Sequence, residues 1–263
     1  MRKPSFVRRQ SRGELLLDVE GLTGQGFSDI SFQLRKGEIL GFAGLVGAGR
    51  SEIMQTIFGF LPARKGQIKL EGRSWKQKDT NFSIKNGLFY LPEERKQQGI
   101  LPLLSIRQNV GVTLVNSTCK HGVIKSKKER AIVQEIIQAY DIKTPSAEKQ
   151  IMYLSGGNQQ KAIIGRAMYG KPKVLIFDEP TKGIDVGTKN DIYQIMQRLA
   201  SEEGVGIILV SSELEELMKC SNRIITIYEG RKVGEFEAEQ AEKSTILNSM
   251  IGDSTKRDME RMP

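Results

Sequence analysis

Two stretches of this 263-residue chain carry residue types spaced for work on phosphate. In Leu154-Ser155-Gly156-Gly157-Asn158-Gln159-Gln160-Lys161 a small-residue turn opens a helix. Backbone N–H groups at such a helix start have no intrahelical acceptor, and the helix dipole adds partial positive charge there, so the end suits an anion. In Val174-Leu175-Ile176-Phe177-Asp178-Glu179-Pro180-Thr181 an apolar run ends in two carboxylates. That run reads as a buried parallel strand delivering Asp178 and Glu179 to the carboxyl edge of a sheet, where open α/β sheets bind ligands.

A third stretch precedes both. Ile39–Ala43 reads as a strand, Gly44-Leu45-Val46-Gly47-Ala48-Gly49-Arg50-Ser51 as a glycine loop, and Glu52 to Gly59 as a helix. Glycines let consecutive N–H groups turn inward on phosphates, and the Ser51 hydroxyl is placed to ligate Mg²⁺. Singly, each stretch has a plainer reading: a helix cap for the carboxylates, an ordinary turn for the glycines. Their order along one chain favours phosphate chemistry.

The elements that must position these residues follow from patterning. Leu15–Val19 reads as a strand, Gly21–Gly26 as a glycine-rich turn, and Ile30–Leu34 alternates as a half-buried antiparallel strand does. Gly66–Leu70, Leu88–Leu91, Gly206–Val210, Arg223–Tyr228 and Lys232–Phe236 read as further strands. From Gln97 to Tyr169 the pattern is helical, clearest over Ser105–Val115 and Lys128–Tyr140, where Ile132, Val133, Ile136, Ile137 and Tyr140 make one apolar stripe. Glu242–Ile251 reads as a last helix.

Composition excludes several classes. Hydrophobic residues at 38% and charged ones at 27% provide for a soluble core. No apolar run approaches the roughly 20 residues of a membrane span, and no apolar segment follows the basic start as a secretory signal requires. Cys119 and Cys220 form neither a disulfide framework nor a zinc pattern, which fits a reducing cytoplasm. The net charge of +9 reads as lysines spread over the surface, because no basic run alternates with aromatics as a nucleic-acid platform would. The single histidine, His121, reads as a surface turn residue.

Leu-Ser-Gly-Gly followed by Asp-Glu-Pro-Thr resembles the signature motif and Walker B of an ABC-type ATPase, over roughly Leu15 to Gly252. Asn158–Lys161 and Lys182-Gly183-Ile184-Asp185-Val186-Gly187 resemble the ATPase subunits of bacterial importers for ribose, galactose, autoinducer-2 and related solutes, specifically the second of their two cassettes. The fold this implies is α/β: a P-loop domain with a mixed sheet core, an antiparallel β subdomain and an inserted helical subdomain. The implied boundaries are a linker or disordered arm at 1–13, the ATPase domain at 14–252 (core 14–92 and 170–252, helical subdomain about 93–169) and a polar tail at 253–263.

The resemblance also implies roles. ATP and Mg²⁺ are held by Gly44 to Glu52, with Ser51 and Asp178 on the metal and Glu179 on the attacking water. Leu154, Ser155, Gly156, Gly157, Asn158 and Gln159 face a partner's nucleotide, and Asp185 lies in the loop between paired cassettes. Phe27 is the nearby aromatic for an adenine, though packing under its turn is the plainer role. Three positions that act on the γ-phosphate and water in the family depart from its pattern: Arg50 for lysine, Glu93 for glutamine and Ser212 for histidine. The expectation is an ATPase weak in isolation, at the cytoplasmic face of a membrane. It pairs with a second cassette and permease subunits, served indirectly by an extracytoplasmic solute-binding protein. The alternatives are a nucleotide-binding half without hydrolysis, or a soluble protein of this type acting on nucleic acid.

Overall fold

A computed structural model describes residues 13–75, 79–120 and 123–252. The arm at 1–12, His121 and the tail at 253–263 lie outside the described residues. In chain order the elements are β1 (Leu15–Gly24), β2 (Phe27–Arg35), β3 (Ile39–Ala43), α1 (Arg50–Phe58), β4 (Lys65–Leu70), β5 (Arg73–Ser74), α2 (Thr80–Lys85) and β6 (Leu88–Leu91). They continue with α3 (Ile106–Thr118), β7 (Cys119–Lys120), β8 (Val123–Ile124), α4 (Ser126–Ala139), α5 (Gly156–Tyr169), β9 (Val174–Asp178) and α6 (Val186–Ser201). The last are β10 (Gly206–Val210), α7 (Leu214–Cys220), β11 (Arg223–Tyr228), β12 (Arg231–Glu237) and α8 (Lys243–Met250).

Two compact units contain these elements. The first comprises the residues up to Tyr90, Lys173–Glu179 and those from Gln197 on. Its main sheet has the strand order β12-β11-β3-β10-β9-β6. β3, β9, β10 and β11 run parallel, and β12 closes the edge antiparallel to β11. Every residue of β3, β9 and β10 is buried, which is why these strands read as unbroken apolar runs rather than alternations. A second, antiparallel sheet has the order β2-β1-β4-β5. β2 buries alternate residues, as its polar and apolar spacing predicts. Phe27, Phe32, Leu34, Phe42, Met54 and Ile225 belong to the core packed within this unit.

Two sequence expectations are corrected here. The expected turn at Gly21–Gly26 is mostly strand: β1 continues to Gly24, with irregular pairing after Val19, leaving only Gln25 and Gly26 to turn. α1 begins at Arg50, not at Glu52. Its cap is Gly49 at φ 97, a left-handed conformation natural to glycine, so no capping side chain marked the start.

The second unit comprises Leu91–Pro172 and Pro180–Met196. Here α3 and α4 pack against α5 and each other. The α4 stripe turns Ile132, Val133 and Ile136 inward, with Tyr140 at the C-cap also buried. Arg166 of α5 is half-buried and donates to the carbonyls of Gly99 and Asn109. Burial lowers its pKa from the ordinary arginine value. Among the described residues no helix is long and apolar enough to cross a membrane.

Candidate functional site

In the first unit, β3 ends at Ala43 and the chain passes through the glycine loop into α1. Gly44, Ala48, Gly49 and Arg50 are buried, while Leu45, Val46 and Gly47 form an exposed crest. The loop is braced by Ala48 N–H to the Leu45 carbonyl at 3.0 Å, and by Gly230 N–H to the Ala48 carbonyl at 2.9 Å. Ser51 and Glu52 sit half-buried in the first turn of α1.

β9 sets the two carboxylates on adjacent positions at its end. Asp178 is 1% exposed, and its Oδ2 accepts the Tyr90 hydroxyl at 2.7 Å. Glu179 adopts φ 46, unusual for a residue with a side chain. Its N–H donates to the Val210 carbonyl at 2.9 Å. Its Oε1 accepts the Ser212 backbone N–H at 2.7 Å and Arg50 Nη2 at 3.3 Å. The strand order explains the convergence, since β10 lies between β3 and β9 and brings Ser212, just past its end, beside both.

Arg50, Asp178, Glu179 and Ser212 are therefore brought together. Ser212 contributes through its main chain; its side chain is exposed. Ser51 and Asp178 offer a hydroxyl and a carboxylate, an oxygen donor set suited to Mg²⁺, which binds through one or two protein oxygens, waters and phosphates. Among the described residues no group of three or more His, Cys, Asp or Glu forms an all-protein metal cage, as that mode of binding requires none. Phe27 is 5% exposed and packs in the core, its ring 2.6 Å from where a Gly24 Cβ would stand; the packing reading holds and no ring face is offered to a base.

The second unit holds the other stretch. α5 starts at Gly156 with Ser155 as its N-cap, whose Oγ accepts Asn158 N at 3.4 Å and Asn158 Nδ2 at 2.9 Å. Asn158 Oδ1 in turn accepts Lys143 N at 2.7 Å. Leu154 and Gln159 are buried, and Gln159 Oε1 accepts Arg95 Nε at 3.2 Å. A Cβ on Gly157 would stand 2.0 Å from Thr188 Cγ2, so glycine there is a close-approach requirement. Thr188 is itself held by Asp185, which accepts its N–H at 3.0 Å and its hydroxyl at 2.8 Å. These bonds lower the Asp185 pKa from the ordinary carboxylate value, the Thr188 backbone bond contributing most. Glu93 pairs with Lys182 at 2.5 Å in this same unit.

Three residues escaped the sequence reading. Tyr90 bonds Asp178, and Gln55 Nε2 reaches the Tyr90 hydroxyl at 3.4 Å; nothing in Leu88–Leu91 beyond a strand pattern marks that hydroxyl. Arg95 lies beside the start of α5, its Nη2 2.8 Å from where a Gly156 Cβ would stand, and burial lowers its pKa from the ordinary arginine value. Only its place after the β6 strand could have drawn notice.

A parallel sheet with a glycine loop entering a helix, and two carboxylates near that loop, define a nucleotide-binding P-loop domain. The family model described as ABC transporter matches residues 27–182, more than half of the 263; the chain belongs to the ABC transporter family and is an ABC-type ATPase domain. It is similar in fold to a nucleotide-free ATP-binding cassette from an ABC transporter, with TM-score 0.77 and 20% identity over 91% of this chain and 100% of that one. It is similar also to the dimeric post-hydrolysis state of the cassette MJ0796 bound to ADP and Pi, with TM-score 0.73 and 20% identity over 86% of this chain and 100% of that one. A third is cbiO1 from Clostridium perfringens, part of the complex cbiONQ, with TM-score 0.75 and 19% identity over 94% of this chain and 98% of that one.

Proposed function

We propose that this cassette powers import of a sugar or related solute as one of two unequal ATPase partners at the cytoplasmic face of a membrane. Its own loop binds ATP and turns it over poorly, and its Ser155-Gly156-Gly157 turn completes the catalytic site of a second cassette. The observation that carries this reading is the engagement of Glu179: the carboxylate that would act on water is bonded to Arg50 and to the Ser212 amide. By contrast, Ser155 at the α5 start is exposed, and the helix dipole there is offered to an outside phosphate. Support for pairing comes from the dimeric cassette it resembles, and for assembly with membrane subunits from the cbiONQ component.

In this reading Mg²⁺, when bound, would shield the phosphate charge between Ser51 and Asp178. Tyr90 holds the Asp178 carboxylate in one orientation. The helices of the second unit serve the groove that meets the permease. The importer assignment rests on Asn158–Lys161 and Lys182–Gly187.

The test is the rate of the isolated chain. Slow or unmeasurable ATP hydrolysis is expected. Turnover in the ordinary phosphoryl-transfer range of about 1–100 s⁻¹, abolished by Glu179→Gln, would defeat the division of labour. A second reading, a nucleotide-binding half that leaves hydrolysis out at both faces, is favoured by the same Glu179 contacts. The partnered assembly separates the two: loss of ATP turnover on altering Ser155 supports the first, no change supports the second.

A further inference from the structure

The two terminal nitrogens of Arg50 have different surroundings. The side chain is 7% exposed. Nη2 lies 3.3 Å from Glu179 Oε1, whereas Nη1 is shielded from solvent with no hydrogen-bond partner among the described residues. A buried cationic donor left unbonded is costly, and native structures keep such a group where a ligand or catalytic step uses it. The arginine stem passes close to the loop, with Cδ 3.3 Å from where a Gly44 Cβ would stand.

Glu179 is fixed from several directions. Its φ of 46 is sustained by the N–H bond to Val210, and its Oε1 receives both Ser212 N and Arg50 Nη2. One oxygen accepting two donors has both lone-pair directions in use. Guanidinium is a rigid planar fork, able to serve two anions at once through different nitrogens; an ammonium is a single point charge.

We propose that Arg50 bridges two anions: Nη1 takes a phosphate oxygen of the nucleotide in the glycine loop while Nη2 stays on Glu179. Glu179 is then a positioning residue that aims the guanidinium. This deepens the ATP-binding reading of the loop, on which it rests, and gives the weak turnover a cause: in this cassette the carboxylate is the arginine's anchor.

The experiment is a double-mutant cycle on equilibrium ADP binding to the whole chain, by calorimetry, with Arg50→Gln, Glu179→Ala and the pair. Glu179→Ala should weaken ADP about ten-fold, equivalent to about 1.4 kcal/mol, and should add nothing in the Arg50→Gln background. Glu179→Gln, which keeps an acceptor for Nη2, should lose less than Glu179→Ala. Arg50→Lys keeps the charge without the fork and should make affinity insensitive to Glu179→Ala, which serves if Arg50→Gln does not fold. In nucleotide-free chain, the lowered urea midpoint of Glu179→Ala should be relieved by adding Arg50→Gln, since the stranded charge is gone. Unchanged or tighter ADP binding by Glu179→Ala, or factors that multiply in the double variant, overturns the bridge alone. Failure of the wild-type chain to bind ADP or ATP overturns the bridge and the loop reading together.

Discussion

The Gly44–Ser51 loop and the Ser155–Gly157 turn are both glycine-rich entries into helices, yet they differ in where their polar groups point. In the loop, the one strong cation is buried and bonded to a carboxylate of its own unit. In the turn, Ser155 is exposed, and its Oγ accepts the Asn158 N–H and side-chain amide. The glycines differ as well. Gly47 has φ 81 and open space around its absent Cβ, whereas Gly157 is hemmed in by Thr188. One glycine is required by backbone conformation, the other by packing. The lesson is that glycine content alone does not tell a loop that wraps a ligand from a turn that presents one.

Substitutions can break or sharpen that contrast. The largest effect is expected for Gly157→Ala: the new methyl overlaps Thr188 and should cost about 1–3 kcal/mol in chemical denaturation, while Gly47→Ala should cost only about 1 kcal/mol from its φ. Thr188→Ser removes the clashing Cγ2 while keeping the hydroxyl for Asp185, and should recover part of the Gly157→Ala loss. Equal costs at the two glycines would erase the distinction.

Tyr90→Phe comes next. It removes one donor from a buried carboxylate, and a loss of about 1–2 kcal/mol is expected in the same unfolding experiment. An unchanged midpoint would mean the Tyr90–Asp178 bond contributes nothing. Ser155→Ala should cost about 0.5–1 kcal/mol, at the low end because its bond to Asn158 N is long at 3.4 Å.

The smallest effect concerns pH. The folded Asp185 carboxyl sits below its ordinary value of 3.8. Its contribution to capping α6 is therefore present above that value and is lost as pH falls through the lower folded one. Amide exchange in the first turn of α6 should quicken, relative to its intrinsic rate, only below about pH 4, and Asp185→Asn should remove the dependence. Onset near pH 6 would point to a different group.

Much of this was legible beforehand. β3, β9 and β10 announced themselves as short apolar runs because both sheet faces are covered, and the signature turn carried its cap, Ser155, in the open. What stayed hidden were the contacts made by distant positions. Arg50 and Glu179 lie 129 residues apart and Tyr90 and Asp178 lie 88 apart, so their meeting depends on strand order, which no local pattern encodes. The start of α1 is hidden from sequence pattern because its cap is Gly49 rather than a serine or aspartate. Gly21–Gly24 resisted for the opposite reason: glycines that look like a turn are held in β1 by pairing with β2 and β4.

The claim that the two faces divide the work is tested most directly by steady-state ATP hydrolysis in the assembly with a partner cassette. Ser155→Arg in this chain, which places bulk and an extra charge at the start of α5, should reduce turnover by about ten-fold or more, in line with removal of one transition-state donor. Glu179→Ala in this chain should reduce it by less than about half, under 0.5 kcal/mol in the barrier. The reverse order, with Glu179→Ala abolishing hydrolysis and Ser155→Arg sparing it, would contradict the account.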